Sequence, residues 1–118
     1  MRSHKDLDVW RRGMDWVEAV YRCSGDWPPQ ERFGLTSQVR RAAVSVVANI
    51  AEGAGRRTRG EFIQFIGVAR GSASEAETLL MLAGRLGYLL PSQVSELLFE
   101  VSALSQMLTA LMRSLREA

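Results

Sequence analysis

Residues 38–56, QVRRAAVSVVANIAEGAGR, constrain the fold of this chain more than any other stretch. At about 100° per residue along a helix, Val39, Ala43, Val46, Val47, Ile50 and Ala54 fall on one broad apolar face. Gln38, Arg41, Ser45, Asn49, Glu52 and Arg56 advance by three or four residues and draw a narrow polar stripe beside it. Ala42, Ala48 and Ala51 lie between the two and leave room for a close neighbour. Such a helix must bury its apolar side. The stripe is either a solvated face or the meeting line with something polar: a neighbouring helix, a second subunit or a nucleic acid.

The rest of the chain repeats the helical period. Asp6 or Asp8 is positioned to cap a first helix. It carries two apolar lines, Leu7-Trp10-Met14-Val17-Tyr21 and Val9-Gly13-Trp16-Val20-Cys23, which predict cover on two sides, Trp16 being core or a subunit contact. Gly25 and Pro28-Pro29 end it. Residues 24–34 form the one long connection, with Trp27 and Phe33 expected over the bundle end and Thr36 or Ser37 capping the second helix. Gly53 and Gly55 are expected to loosen that helix's end. Thr58 and Glu61 read as a capping box opening a third helix to about Leu86. There Phe62, Ile66, Ala69, Ala73, Ala76, Leu80 and Ala83 keep one heptad line; Phe65, Val68, Ser72, Glu75, Leu79, Leu82 and Leu86 keep another. Gly67 and Gly71 weaken helix propensity, which predicts close packing at both. After Gly87, Ser92 is expected to cap a fourth helix whose seam is Val94, Leu97, Val101, Leu104, Leu108, Leu111 and Leu115. Four helices on short turns predict an all-α, up-down-up-down antiparallel four-helix bundle filling a single domain, 1–118.

Charge is unevenly placed. The chain's net charge is +2, yet residues 32–70 hold seven Arg against Glu52 and Glu61. Only Lys5 among the 15 basic residues is lysine. Guanidinium forks suit phosphate and carboxylate. Two small clusters result, Arg40-Arg41 before the apolar run and Arg56, Arg57 and Arg59 after it, roughly 24 Å apart along the axis. The second adjoins the free N–H groups that open the third helix, a natural place for phosphate.

With the interhelical turn centred near Arg57, Phe62 is expected near Glu52, Ala69 near Ser45 and Ala73 near Arg41. Glu75 interrupts an apolar line, so its carboxylate is expected to be partly buried and paired, with Arg41 as first partner and Arg70 as second; an exposed Glu75 is the alternative. Arg41, Asn49, Glu52 and Glu75 are therefore the expected buried polar groups.

Chemistry is sparse. His4, the sole histidine, lies in an N-terminus expected to be mobile. That leaves no base for a nucleophile and no Glu-x-x-His pairs for a di-metal bundle. No enzyme, cofactor or metal is expected. The single Cys23 permits no internal disulfide and fits a reducing cytoplasm, with a core role. MRSHKDLD lacks the apolar segment of a signal peptide. The longest uncharged run, 101–112, falls short of the roughly 18 residues of a membrane span.

The QVRRAAVSVVANIAEGAGR segment resembles the signature of the four-helix-bundle proteins of 23S rRNA intervening sequences. DLDVWRRGM, RFGLTSQ and EFIQFIGVARGSASEAETLLMLAGRLGYL extend the resemblance over nearly the whole chain, weakening after Leu90. One departure is Val47, where members usually carry Pro; without it this helix keeps its hydrogen bond and runs straighter. The resemblance implies the same bundle. More distantly it is similar to accessory proteins of diversity-generating retroelements, which form pentamers and bind nucleic acid and a reverse transcriptase. It thus implies a homo-oligomer, a ring of five, with RNA or single-stranded DNA and a reverse transcriptase as partners. Arg56, Arg57, Arg59 and Arg40 are the candidate nucleic-acid contacts. A structural or protein-binding oligomer without nucleic acid is the alternative.

Overall fold

The apolar periods become four α-helices: α1 (Asp8–Cys23), α2 (Leu35–Ala54), α3 (Arg59–Arg85) and α4 (Pro91–Glu117), with single 3-10 turns at His4–Asp6 and Pro29–Glu31. The structure, a computed structural model, describes residues 3–118; Met1 and Arg2, the start of the stretch read as lacking a signal peptide, lie outside it. Each helix packs on two neighbours, α1 on α2, α2 on α3, α3 on α4 and α4 back on α1. The result is an up-down-up-down bundle about 45 Å long.

The core follows the heptad lines closely. All seven residues of the first α3 line, Phe62 to Ala83, are buried, as are Val39, Ala43, Val46 and Ile50 of α2 and Leu97, Val101, Leu104 and Leu108 of α4. In α1 the line through Val9, Gly13, Trp16 and Val20 is the buried one. Trp16 is core, and its indole N–H donates to the Leu97 carbonyl 3.2 Å away. The other α1 line stays partly open, with Met14 and Tyr21 exposed. α4, 27 residues long, is apolar enough by length and composition to cross a membrane. Its apolar stripe is spent in the core, while Ser95, Glu96, Ser102 and Gln106 face outward.

Close approach comes from glycines other than those expected. A Cβ on Gly53 would lie 2.8 Å from Phe65 Cβ, and one on Gly13 would lie 2.8 Å from Val47 Cγ1. Gly53 therefore seats α2 against α3 rather than loosening an end. Around Gly71 there is open space, and Gly67 meets only Met112 at 3.8 Å, so neither is a packing glycine. α2 runs unbroken through Val47, which is buried against α1.

Several caps differ from expectation, because carboxylates and prolines outcompete the nearby hydroxyls. The Leu35 N–H at the start of α2 donates to Glu31 Oε1 at 3.2 Å; Thr36 and Ser37 lie inside the helix. α4 opens with Pro91 at its first position, and the Leu90 N–H donates to Gln93 Oε1 at 2.9 Å, which leaves Ser92 inside. Asp6 closes the N-terminal 3-10 turn with Ser3, and Asp8 is the first residue of α1. His4 lies in that turn, its ring edge-on to Trp10 with centroids 4.9 Å apart. Thr58 caps α3 by accepting from the Glu61 N–H at 3.1 Å. Gly87, at φ +79°, closes α3 in a Schellman arrangement, with the Tyr88 N–H on the Ala83 carbonyl.

The long connection divides its aromatics. Trp27 is buried and packs on Tyr88 with centroids 5.8 Å apart, whereas Phe33 is 91% exposed and covers nothing. Glu31, which reaches from this connection to accept the Tyr88 hydroxyl at 2.9 Å, ties the two loops of this end together. Trp27 Nε1 is buried and has no acceptor among the described residues. A buried donor left unmet costs about 1–3 kcal/mol.

Candidate nucleic-acid interface

The α2–α3 turn forms because Gly55 ends α2 and Thr58 begins α3, leaving Arg56 and Arg57 with no helix to join. Arg59 is the first residue of α3. Antiparallel packing brings the C-terminal end of α4 to the same place, where Arg59 donates to the Ala118 carbonyl. Lys5 of the N-terminal turn and Arg116 of the last turn of α4 belong to this end as well.

The three loop guanidiniums are not equivalent. Arg56 lies 3.6 Å from Glu52 and 4.8 Å over the Phe65 ring. Both partners hold it close to the surface of the bundle. Arg59 is engaged with α4. Arg57 is exposed and its side chain makes no hydrogen bond or ion pair among the described residues, so its charge is open to a partner. The Arg59 and Gly60 N–H groups opening α3 have no acceptor among the described residues. These donors and the α3 dipole make this end attractive to an anion.

Arg40 stands elsewhere. Its Nε donates to Ser24 Oγ at 2.9 Å, its Nη2 donates to the Tyr21 carbonyl at 3.1 Å, and its guanidinium lies 4.6 Å over the Tyr21 ring. It caps the C-terminal end of α1, at the opposite end of the bundle from Arg56. Sequence spacing misses this because the helix end it serves is 16 residues upstream in Ser24.

The polar stripe of α2 meets a neighbouring helix in its middle. Ser45 Oγ and Ser72 Oγ are 2.8 Å apart, and Asn49 Nδ2 donates to Ser45 O at 2.8 Å and to Ser45 Oγ at 3.0 Å. Asn49, expected to be buried, is half-buried. Arg41, Glu52 and Glu75 are exposed instead. Glu75 and Arg41 line one groove with Phe33, Ser37, Gln38, Ala42 and Ser45, but no ion pair joins them, and Arg70 turns to Thr109 instead. Ser72 meets Ser45, one turn from the expected Ala69. Glu75 stands on the second α3 line, on which Val68, Leu82 and Leu86 are exposed too, so that line runs along the edge of the helix–helix contact rather than inside it.

Sequence reasoning missed Glu31 and Ser24, which organise the far end. The only available signal was the four-residue step from Glu31 to Leu35.

The model of the 23S rRNA-intervening sequence protein family matches residues 5–110. Comparison with curated proteins found no match. Among solved structures, the fold is similar to that of a protein with unknown function from the S23 ribosomal protein family of Bacteroides thetaiotaomicron. The TM-score is 0.80 at 22% identity, covering 88% of this chain and 97% of that one. The family match spans most of the chain: this chain belongs to the 23S rRNA-intervening sequence protein family.

Proposed function

We propose that this protein is a non-enzymatic homo-oligomer that binds RNA or single-stranded DNA through the α2–α3 end of its bundle. The observation that carries the reading is Arg57, an exposed guanidinium without a partner among the described residues, beside two open N–H groups at the start of α3. Arg56 and Arg59 flank it and can exchange their present contacts for phosphate at little cost, since exposed pairs contribute only about 0–1 kcal/mol. Arg40 does not belong to this surface.

Oligomerisation is supported by apolar surface that one bundle leaves uncovered. Val68, Leu82 and Leu86 of the second α3 line are 44–50% exposed, and Phe33 and Phe99 are more open still. The resemblance to retroelement accessory proteins favours a ring of five. A ring repeats a weak site and makes the whole avid. It also makes a reverse transcriptase a partner to test. The family's name links it to rRNA intervening sequences, and a cytoplasmic location follows from that reading.

With the half-exposed Phe65 ring already covered by Arg56, binding is expected to be blind to sequence and driven by counterion release. Affinity of the wild-type protein for mixed-sequence RNA and DNA, measured from low to high salt, tests this: a steep loss of affinity with salt supports it. Absence of binding at low salt favours the alternative, an oligomeric scaffold for proteins.

A further inference from the structure

Along the open side of the α2–α3 pair runs a groove of about 590 Å³ whose lining includes Phe33, Arg41 and Glu75. All three are unspent within one chain. Phe33 is 91% exposed. Arg41, on α2, is exposed, and its guanidinium makes no hydrogen bond or ion pair among the described residues. The Glu75 carboxylate, on α3, is exposed and unpaired in the same way. On either side of Glu75 along α3, Val68, Leu82 and Leu86 are 44–50% exposed. The register of the pair sets the heights of these groups. Ser45 meets Ser72 and the helices are antiparallel, so a step back along α2 matches a step onward along α3. One turn takes Ser45 to Arg41 and Ser72 to Glu75. About three turns lead back to Phe33, just before α2, and onward to the turn between Leu82 and Leu86. In the other direction the exposed Ala48 stands level with Val68. Each group on the α2 side therefore has its complement on the α3 side at its own height: base with acid, aromatic with aliphatic, small with branched.

We infer that this face joins copies of the chain, packed side by side and parallel, with α2 of one against α3 of the next. The inference rests on the reading of the protein as a homo-oligomer and names the surface that builds it. Rotation about an axis parallel to the bundle moves no residue along that axis, so levels are kept between copies. It brings Arg41 to the partner's Glu75, Phe33 to the partner's Leu82 and Leu86, and Ala48 to the partner's Val68. The ion pair left open in one chain is closed between two, and the exposed line on α3 gains an apolar cover. An unrelated partner would have to supply a base and an aromatic group at these two heights. A second copy already carries both. Parallel packing also sets every Arg57 turn on the same rim of the assembly, where weak sites add; antiparallel packing would divide them between two ends.

The test is the oligomeric state of the full chain by light scattering and sedimentation, with helix content followed by circular dichroism. Arg41→Glu and Glu75→Arg each set like charges against one another across the contact. Each is expected to weaken association by about a hundredfold. The double substitution Arg41→Glu/Glu75→Arg restores opposite charges and is expected to assemble as the wild type does. Phe33→Ser alters a side chain that fills no core, and is expected to weaken association by about tenfold with helix content unchanged. If the wild type assembles and both single charge variants assemble equally well, this inference is overturned while the homo-oligomer reading stands. It is overturned equally if the single variants come apart and the charge-exchanged double does not reassemble. Should a charge variant lose helix content, Phe33→Ser decides, and assembly equal to that of the wild type overturns the inference. A wild type that is monomeric at about 100 μM removes this inference and the homo-oligomer reading together.

Discussion

Ser45 and Ser72 face one another across the α2–α3 seam with their hydroxyl oxygens 2.8 Å apart, and Asn49 closes the group by donating to Ser45. This polar group sits between Ala42 and Ala69, both buried, so its hydrogen bonds fix the register of two helices that apolar contact alone would let slide. Removing either hydroxyl is expected to cost about 1 kcal/mol, and the double substitution Ser45→Ala/Ser72→Ala less than the two single losses added together. Urea unfolding of the four proteins of the cycle measures the coupling. Fully additive losses would show that the pair does not interact.

Glycines sort by what surrounds them. Gly53→Ala must push against Phe65 and Phe62, and a loss of about 1–3 kcal/mol is expected. Gly71→Ala enters open space on a helix and is expected to stabilise the chain by about 0.5–1 kcal/mol. Thermal unfolding distinguishes the two. A destabilised Gly71→Ala would mean that another surface, such as a second subunit, covers that position.

Arg40 is a cap, so Arg40→Ala should lower stability by about 1–2 kcal/mol, because the carbonyl end of α1 and the Ser24 hydroxyl both lose their donor. Its effect on nucleic-acid affinity should be small. A variant of normal stability with a large loss of affinity would return Arg40 to the interface.

The link between the two loops of the far end has a pH signature. The hydrogen bond to Glu31, then burial, raises the Tyr88 phenol above its ordinary range. A raised acid in the folded state stabilises the fold below the unfolded pKa and loses that contribution as pH climbs through the folded value. Burial likewise pushes up the Cys23 thiol, with Glu96 and Asp26 adding to it. The melting temperature should therefore fall as pH rises above about 9, first through Cys23 and then through Tyr88. Tyr88→Phe should flatten the upper part of that fall. An unchanged profile would show that the Glu31 bond does not persist in solution.

The bundle was legible because its signal is repetitive. Seven α3 residues at heptad spacing cannot all be buried except against neighbouring helices, and all are. Caps were less legible, because any of several nearby polar groups can serve. Thr36, Ser37 and Ser92 were plausible, but Glu31 and Pro91 occupy those roles. The sites were least legible. Glu75 shares a heptad line with Leu79, but that line runs along the edge of the core, and the exposure of Val68, Leu82 and Leu86 on it shows that apolar spacing alone does not decide burial. Arg40 looked like part of a basic cluster because its partners, Tyr21 and Ser24, belong to another helix end.

The most direct test of the nucleic-acid reading is the triple substitution Arg56→Ala/Arg57→Ala/Arg59→Ala, with affinity for mixed-sequence RNA and DNA followed across salt and oligomeric state checked by light scattering. The account predicts an intact oligomer with weaker binding and a salt slope shallower by about one for each phosphate that the variant no longer neutralises. An intact oligomer whose affinity and salt slope equal those of the wild type would contradict it.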